Sequence, residues 1–188
     1  MFINIKSGVY RAACIAPFLI PIATDPAHAQ IHFDDFASSD QLSLVGDARV
    51  SGTVLRIAPA RGDKAGAFWF RDKQFVGSGF ETTFRFQLTH QDRLFYRGAD
   101  GFAFVLQNSG PDALGGRGSA AGFGVSDSIG TPPHAGIPWA VAVFFDTYQN
   151  KEEGDPSSNY IGIRANGGPP LHAGPRRVWL PHRTSAPM

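Results

Sequence analysis

The sequence predicts an all-β fold, a sandwich or barrel of short strands, on three observations. Apolar–polar alternation recurs in brief runs between Ile31 and Ile163. Gly, Pro, Asp and Ser separate those runs, and no window of helical length carries a capped 3.6-residue apolar repeat. Composition agrees, since 16 Phe and 22 Gly in 188 residues favour pleated surfaces joined by tight turns. The length suffices for one domain with a sizeable core.

Taken in order, residues 31–36 alternate apolar and polar, residues 41–45 repeat the pattern, and residues 54–57 follow, ended by Pro59. Phe68-Trp69-Phe70 and Phe75-Val76 flank a charged turn at Arg71-Asp72-Lys73. The clearest strand is residues 80–88. There Phe80, Phe84, Phe86 and Leu88 share one face, and Glu81, Thr83, Arg85 and Gln87 share the other. Residues 101–107 and 140–145 are apolar on both faces, as expected of strands inside a sandwich.

The two ends differ from this middle. Residues 1–29 are expected to be a secretory signal. Lys6 and Arg11 supply a positive start, residues 12–23 an apolar stretch, and Ala27-His28-Ala29 a small-x-small cleavage site. That stretch, broken by Pro17 and Pro21, falls short of the ~20 residues that span a bilayer. The expectation is a secreted or periplasmic protein with no membrane span after signal removal. Cys14, the single cysteine, would leave with the signal, so a bound metal rather than a disulfide is the expected staple. Residues 167–188 hold five Pro, three Arg, two His and no acidic residue, and are expected to be an irregular tail. Their composition favours the product of a shifted reading frame over a solvated tail or a processed linker. Residues 30–166 form the expected domain, with 12 Lys/Arg and 15 Asp/Glu, so its charge is −3 although the whole chain is at +1. A nucleic-acid surface would need a clustered basic stripe, and nucleic acid is not an expected partner.

Three constellations could carry chemistry. Asp146, Asn150 and Asp155 gather at one strand-to-loop corner, with the Tyr148 carbonyl between them. Hard oxygens so spaced suit Ca²⁺, which takes about six to eight. An ordinary polar turn is the alternative. An EF-hand is excluded, because counting from Asp146 puts Lys151 where its Gly belongs and Ser157 where its terminal Glu belongs. Second, Ala99-Asp100-Gly101 is either a ligand-facing carboxylate or a plain Asp-Gly hairpin turn. Third, the loop from Gly115 to Gly124 contains a formal match to the dinucleotide fingerprint between Gly116 and Ala121. No helical pattern follows it, so a nucleotide site is rejected.

Several stretches together resemble the legume (L-type) lectins, in that family's order, over about residues 31–166. They are Ile31-His-Phe-Asp-Asp-Phe36, Leu42-Ser-Leu-Val-Gly-Asp-Ala48, Val54-Leu-Arg-Ile57, Ala65-Gly-Ala-Phe-Trp-Phe70, Gly79-Phe-Glu-Thr-Thr-Phe-Arg-Phe86, residues 98–107, and the segment from Val141 to Ile163. The resemblance implies a concanavalin A-like jelly-roll β-sandwich that binds carbohydrate without catalysis. It implies Ca²⁺ held by the Asp146 and Asp155 carboxylates, the Asn150 side-chain oxygen and the Tyr148 carbonyl. It implies a sugar held by Asp100 after a cis peptide, by backbone at Gly118 and Ala120, by the Asn150 amide, and by Tyr148 as a stacking ring. Where family members hold a second, transition metal with Glu and His, this chain has Phe144 and Tyr160, so no Mn²⁺ is expected. The family normally continues through further strands. The expected sandwich is therefore incomplete at its C-terminal side, with residues 30–188 marginally stable.

Two other readings stay open. One is a glycoside hydrolase of the same architecture, which needs two carboxyls on one strand face. Phe144, Asp146 and Tyr148 supply only one, and no Gly-x-Ser-x-Gly elbow or His-Glu-x-x-His motif occurs. His32, His90, His134, His172 and His182 lack ligand spacing and read as surface or tail residues. The other reading is a truncated remnant that binds nothing. The sugar is not specified, and homo-oligomerisation is left open.

Overall fold

The computed structural model describes residues 2–6, 31–77, 79–89, 98–126, 135–167 and 179–180. Nearly all regular structure in them is strand. The strands are β1 (Phe2–Lys6), β2 (Leu42–Gly46), β3 (Arg49–Ser51), β4 (Val54–Arg56), β5 (Gly66–Phe70), β6 (Thr83–Gln87), β7 (Gly101–Gln107), β8 (Ala140–Asp146), β9 (Tyr160–Ala165) and β10 (Trp179–Leu180). The helical exceptions are two 3-10 turns, Gly118–Ala120 and Lys151–Glu153. The strands form three antiparallel sheets, ordered β3-β4-β1-β6, β10-β9-β8-β7, and β2-β5. The all-β expectation holds.

The β7–β8–β9 sheet positions everything that follows. Phe144 pairs with Ala103 on β7 and Gly162 on β9, and Asp146 pairs with Gly101 and Tyr160. One face of β8 carries Ala140, Ala142, Phe144 and Asp146, all buried. Phe123 and Ile137 cover that face, with Trp69, Ala113 and Ala121 at its margin. On the opposite face Phe102 stacks on Phe145 at 4.6 Å between ring centroids. Phe84 and Phe86 of β6 close over them, Phe86 at 4.5 Å from Phe102 and Phe84 at 5.7 Å from Phe104. These rings join the two four-stranded sheets as the two layers of a sandwich. The cover is partial, because Val141 and Ile163 at the far end of that face are exposed.

A second core packs Phe36, Leu42 and Leu55 against Phe33, Phe68 and Phe70. Strand β5 serves both cores by alternation. Phe68 and Phe70 face the second core, while Trp69 packs beside Phe123 and donates from Nε1 to the Ala113 carbonyl at 2.8 Å.

Three strand expectations shift. Residues 31–36 are not a strand. Phe33 and Phe36 lie three apart, stack on each other at 5.3 Å, and the segment is anchored by the Phe36 N–H on the Thr53 carbonyl. Phe75 and Val76 are exposed loop residues, and the strand expected over 80–88 shortens to β6. In the expected tail, Trp179–Leu180 pairs with β9 as a two-residue strand. Of the expected signal, Phe2–Lys6 forms β1 between β4 and β6. The remainder of the signal, with Cys14 and the cleavage site, lies outside the described residues, as do His90, His134, His172 and His182. No helix among the described residues is long and apolar enough to cross a membrane.

Candidate functional site

The site forms where β8 ends and its chain turns toward β9. Asp146 is the last residue of β8 and Tyr160 the first of β9, so pairing sets them opposite one another. Between them the chain makes a closed loop. The Tyr148 N–H donates to Asp146 Oδ1 at 2.9 Å, and the Asn150 N–H donates to Asp155 Oδ2 at 2.8 Å. Gln149 Nε2 donates to the Asp155 carbonyl at 3.0 Å, and the Asp155 N–H returns to the Asn150 carbonyl at 3.3 Å. Gly154 closes the 3-10 turn at φ 76°, a conformation that glycine takes without penalty.

Asp146 and Asp155 are only 5% and 6% exposed, deep enough that their charges need partners. The Tyr160 hydroxyl donates to Asp155 Oδ1 and is also within hydrogen-bond reach of Asp146. Burial pushes the Asp146 carboxyl up to about 7, with the Asp155 and Asp100 charges adding to the effect. Burial likewise raises the Tyr160 hydroxyl. The side-chain Oδ1 of Asn150 is buried without a hydrogen-bond partner.

Asp100 reaches the same corner from the start of β7. Its peptide bond to Ala99 is cis. Two hydrogen bonds fix the turn to the residue after Asp146: the Thr147 N–H donates to the Asp100 carbonyl at 2.9 Å, and Thr147 Oγ1 donates to the Gly98 carbonyl at 2.7 Å. The Asp100 carboxylate is hydrogen-bonded to the Asn150 side chain, while burial raises its pKa. The glycine loop arrives third. Gly118 has φ 62°, and a Cβ on it would lie 3.6 Å from Asp100 Oδ2. Asp100, Gly118 and Asn150, far apart in sequence, thus come together, and Tyr148 in the same loop as Asn150 is 37% exposed.

Ala120 does not join them. It is fully buried, and its N–H is engaged by the Arg117 carbonyl, so it has no backbone donor to offer a ligand. Three residues that sequence reasoning did not single out do join. Ser119 hydrogen-bonds Glu153, tying the glycine loop to the loop between Asp146 and Asp155, and burial raises the Glu153 carboxyl. Arg164 lies buried behind Asp155, with Nη2 at 4.0 Å from Asp155 Oδ1. Alternation along β9 puts Tyr160, Gly162 and Arg164 on one face, a pattern legible in the sequence.

A family model for the legume lectin domain matches residues 28–169. The chain belongs to the legume lectin family. A galactose-binding lectin of Arachis hypogaea is 30% identical over 126 residues, which is 67% of this chain and 41% of that relative. The chain thus spans less than half the length of the curated lectin it matches. The strand-rich antiparallel architecture agrees with the family's sandwich.

The lectin's corner fits Ca²⁺ by the chemistry of its donors. Two buried carboxylates, an amide oxygen with no other partner and a main-chain carbonyl at Tyr148 are all hard oxygens. Among the described residues no group of three or more His, Cys, Asp or Glu is placed to hold a metal, so the set depends on its amide and carbonyl. A companion transition metal does not fit. Phe144 offers a ring, the Tyr160 hydroxyl donates rather than accepts toward Asp155, and a guanidinium lies behind it.

Proposed function

We propose that this legume-lectin chain is a secreted or periplasmic, calcium-dependent carbohydrate-binding module with no catalytic step. One observation carries the reading: Asn150 joins the two halves of the site. Its N–H holds Asp155, its side chain bonds Asp100, and its buried Oδ1 lacks a partner. An amide so placed can give its oxygen to calcium while its NH₂ points toward the pocket edge. Asp100 then accepts from two sugar hydroxyls, the Gly118 backbone borders the ring closely, and Tyr148 stacks on its apolar face. Calcium neutralises the crowd of acidic groups, and no Mn²⁺ is needed. The absence of a second carboxylate on the β8 face supports the non-catalytic reading, since Phe144 and Tyr148 flank Asp146.

Thermal unfolding with and without millimolar Ca²⁺ tests the metal, because a ligand that binds only the folded state raises the midpoint. A calcium-dependent rise is expected, and an unchanged midpoint counts against calcium. Retention on immobilised galactose, the sugar in the relative's printed name, is the first sugar test, followed by a glycan panel. Binding that survives EDTA would defeat the calcium link.

A further inference from the structure

Behind the calcium corner the chain carries a cation of its own. Arg164 is 7% exposed, and its guanidinium carbon lies 4.3 Å from the centre of the Phe144 ring. Its Nη2 lies 3.3 Å from the Tyr160 hydroxyl and 4.0 Å from Asp155 Oδ1. Arg164 pairs with Ala142 and Phe144 pairs with Gly162, so the two residues sit diagonally across the strands. Gly162 has no side chain to hold them apart, which lets the guanidinium lie over the ring. The Asp155 side chain is 1% exposed, and a carboxylate that deep is costly without a nearby positive charge. Nη1 of Arg164 is buried without a hydrogen-bond partner. Charge and ring packing therefore hold this side chain more than a full set of hydrogen bonds does.

We infer that Arg164 is a built-in positioning cation. Seated on Phe144 and acting through Tyr160 and Asp155, it orders the loop from Asp146 to Asp155 before any metal arrives, in the place where a second metal does not fit. The inference extends the calcium reading, but its central claim concerns the metal-free chain. Through Asp155 the effect reaches the Asn150 N–H, which bonds Asp155 Oδ2.

Amide hydrogen exchange of the full chain in EDTA tests it, comparing the wild type with Arg164→Gln and Arg164→Lys. The Asn150 amide is expected to exchange at least about tenfold faster in R164Q, with the β7–β8 ladder amides unchanged. R164K, which keeps the positive charge but loses the planar guanidinium over Phe144, is expected to exchange at Asn150 at a rate between those of wild type and R164Q. Three results overturn the inference: unchanged Asn150 exchange in R164Q, equal loss in R164K and R164Q, or loss spread uniformly through β7, β8 and β9, which would make Arg164 a general core residue. Calorimetric Ca²⁺ titration of the same proteins separates the two readings. Wild type that takes no calcium defeats the calcium proposal and leaves the exchange result to decide the role of Arg164. An R164Q protein that binds calcium more weakly while the ladder stays intact supports both.

Discussion

The Asn150 N–H donates to Asp155 Oδ2 at 2.8 Å, while the side chain of the same residue is bonded to Asp100. One residue therefore clamps the acidic loop with its backbone and touches the pocket edge with its amide. Replacing that amide separates the two duties. Asn150→Asp keeps an oxygen for calcium but loses the NH₂ and faces Asp100 with like charge. Calcium should still bind, while sugar affinity falls at least about tenfold, since a hydrogen bond to a charged group contributes roughly 1.5–3 kcal/mol. Paired titrations with Ca²⁺ and with sugar check this, and equal loss of both would refute the division.

Tyr148 makes the opposite separation. Its carbonyl is backbone and survives any substitution, whereas its ring is exposed beside Asn150. Tyr148→Ala should leave the calcium-dependent rise in unfolding temperature intact and weaken sugar binding about tenfold, the loss of one aromatic platform. Unchanged sugar affinity would remove Tyr148 from the pocket.

The acidic crowding makes the metal-free protein sensitive to pH. Asp146 is held up to about 7 in the folded chain, chiefly by burial, against 3.8 for a free Asp. Between those values the native state keeps a proton that the unfolded chain has lost. This group's contribution to metal-free stability therefore grows as pH falls from 7 toward 4, then levels off. Calcium needs the carboxylate, so its affinity should fall by up to about tenfold per pH unit below 7. Unfolding and calcium titrations at pH 5, 6 and 7 should move in opposite directions, and calcium affinity flat over that range would contradict the prediction.

Gly101 marks where Asp100 is held against β8. Its φ is 139°, and a Cβ there would sit 2.2 Å from the Phe145 carbonyl oxygen. Gly101→Ala is expected to cost about 3 kcal/mol or more and to weaken sugar binding, because the backbone must shift beside Asp100. Denaturant unfolding gives the first readout, and a loss under 1 kcal/mol would disprove the close approach.

At the far end of the inter-sheet face, Val141 and Ile163 are 49% and 56% exposed. Apolar groups left open beside an aromatic core invite association. The double change Val141→Thr and Ile163→Thr should raise the soluble yield and leave calcium binding unaffected. No gain in solubility would mean that another surface drives association.

Strands β7 and β8 were legible because both faces are apolar and each run ends at a polar residue. The closed loop from Asp146 to Asp155 was legible as one site because its oxygens are spaced along a single segment. Strand β3 was missed because Arg49-Val50-Ser51 contains one apolar residue, and its pairing with β4 arises from the turn at Gly52 rather than from alternation. Residues 31–36 misled because Phe33 and Phe36 bury by stacking three apart. Ala120 was read as open because small residues in a glycine loop look alike in sequence. Only the fold shows that its N–H is engaged and that Gly118 comes near Asp100. Arg164 was overlooked because charge on a strand usually points to water, and nothing local announces the Phe144 ring beneath it.

Thr147 ties the turn before Asp100 to the residue following Asp146, and Asn150 ties the Asp100 carboxylate to the acidic loop. Binding free energies coupled through shared bonds are reciprocal. Whatever factor calcium adds to sugar affinity, bound sugar must add to calcium affinity. If both proposed ligands bind, a glycan-coated surface would therefore retain the calcium against a chelator that strips it in free solution.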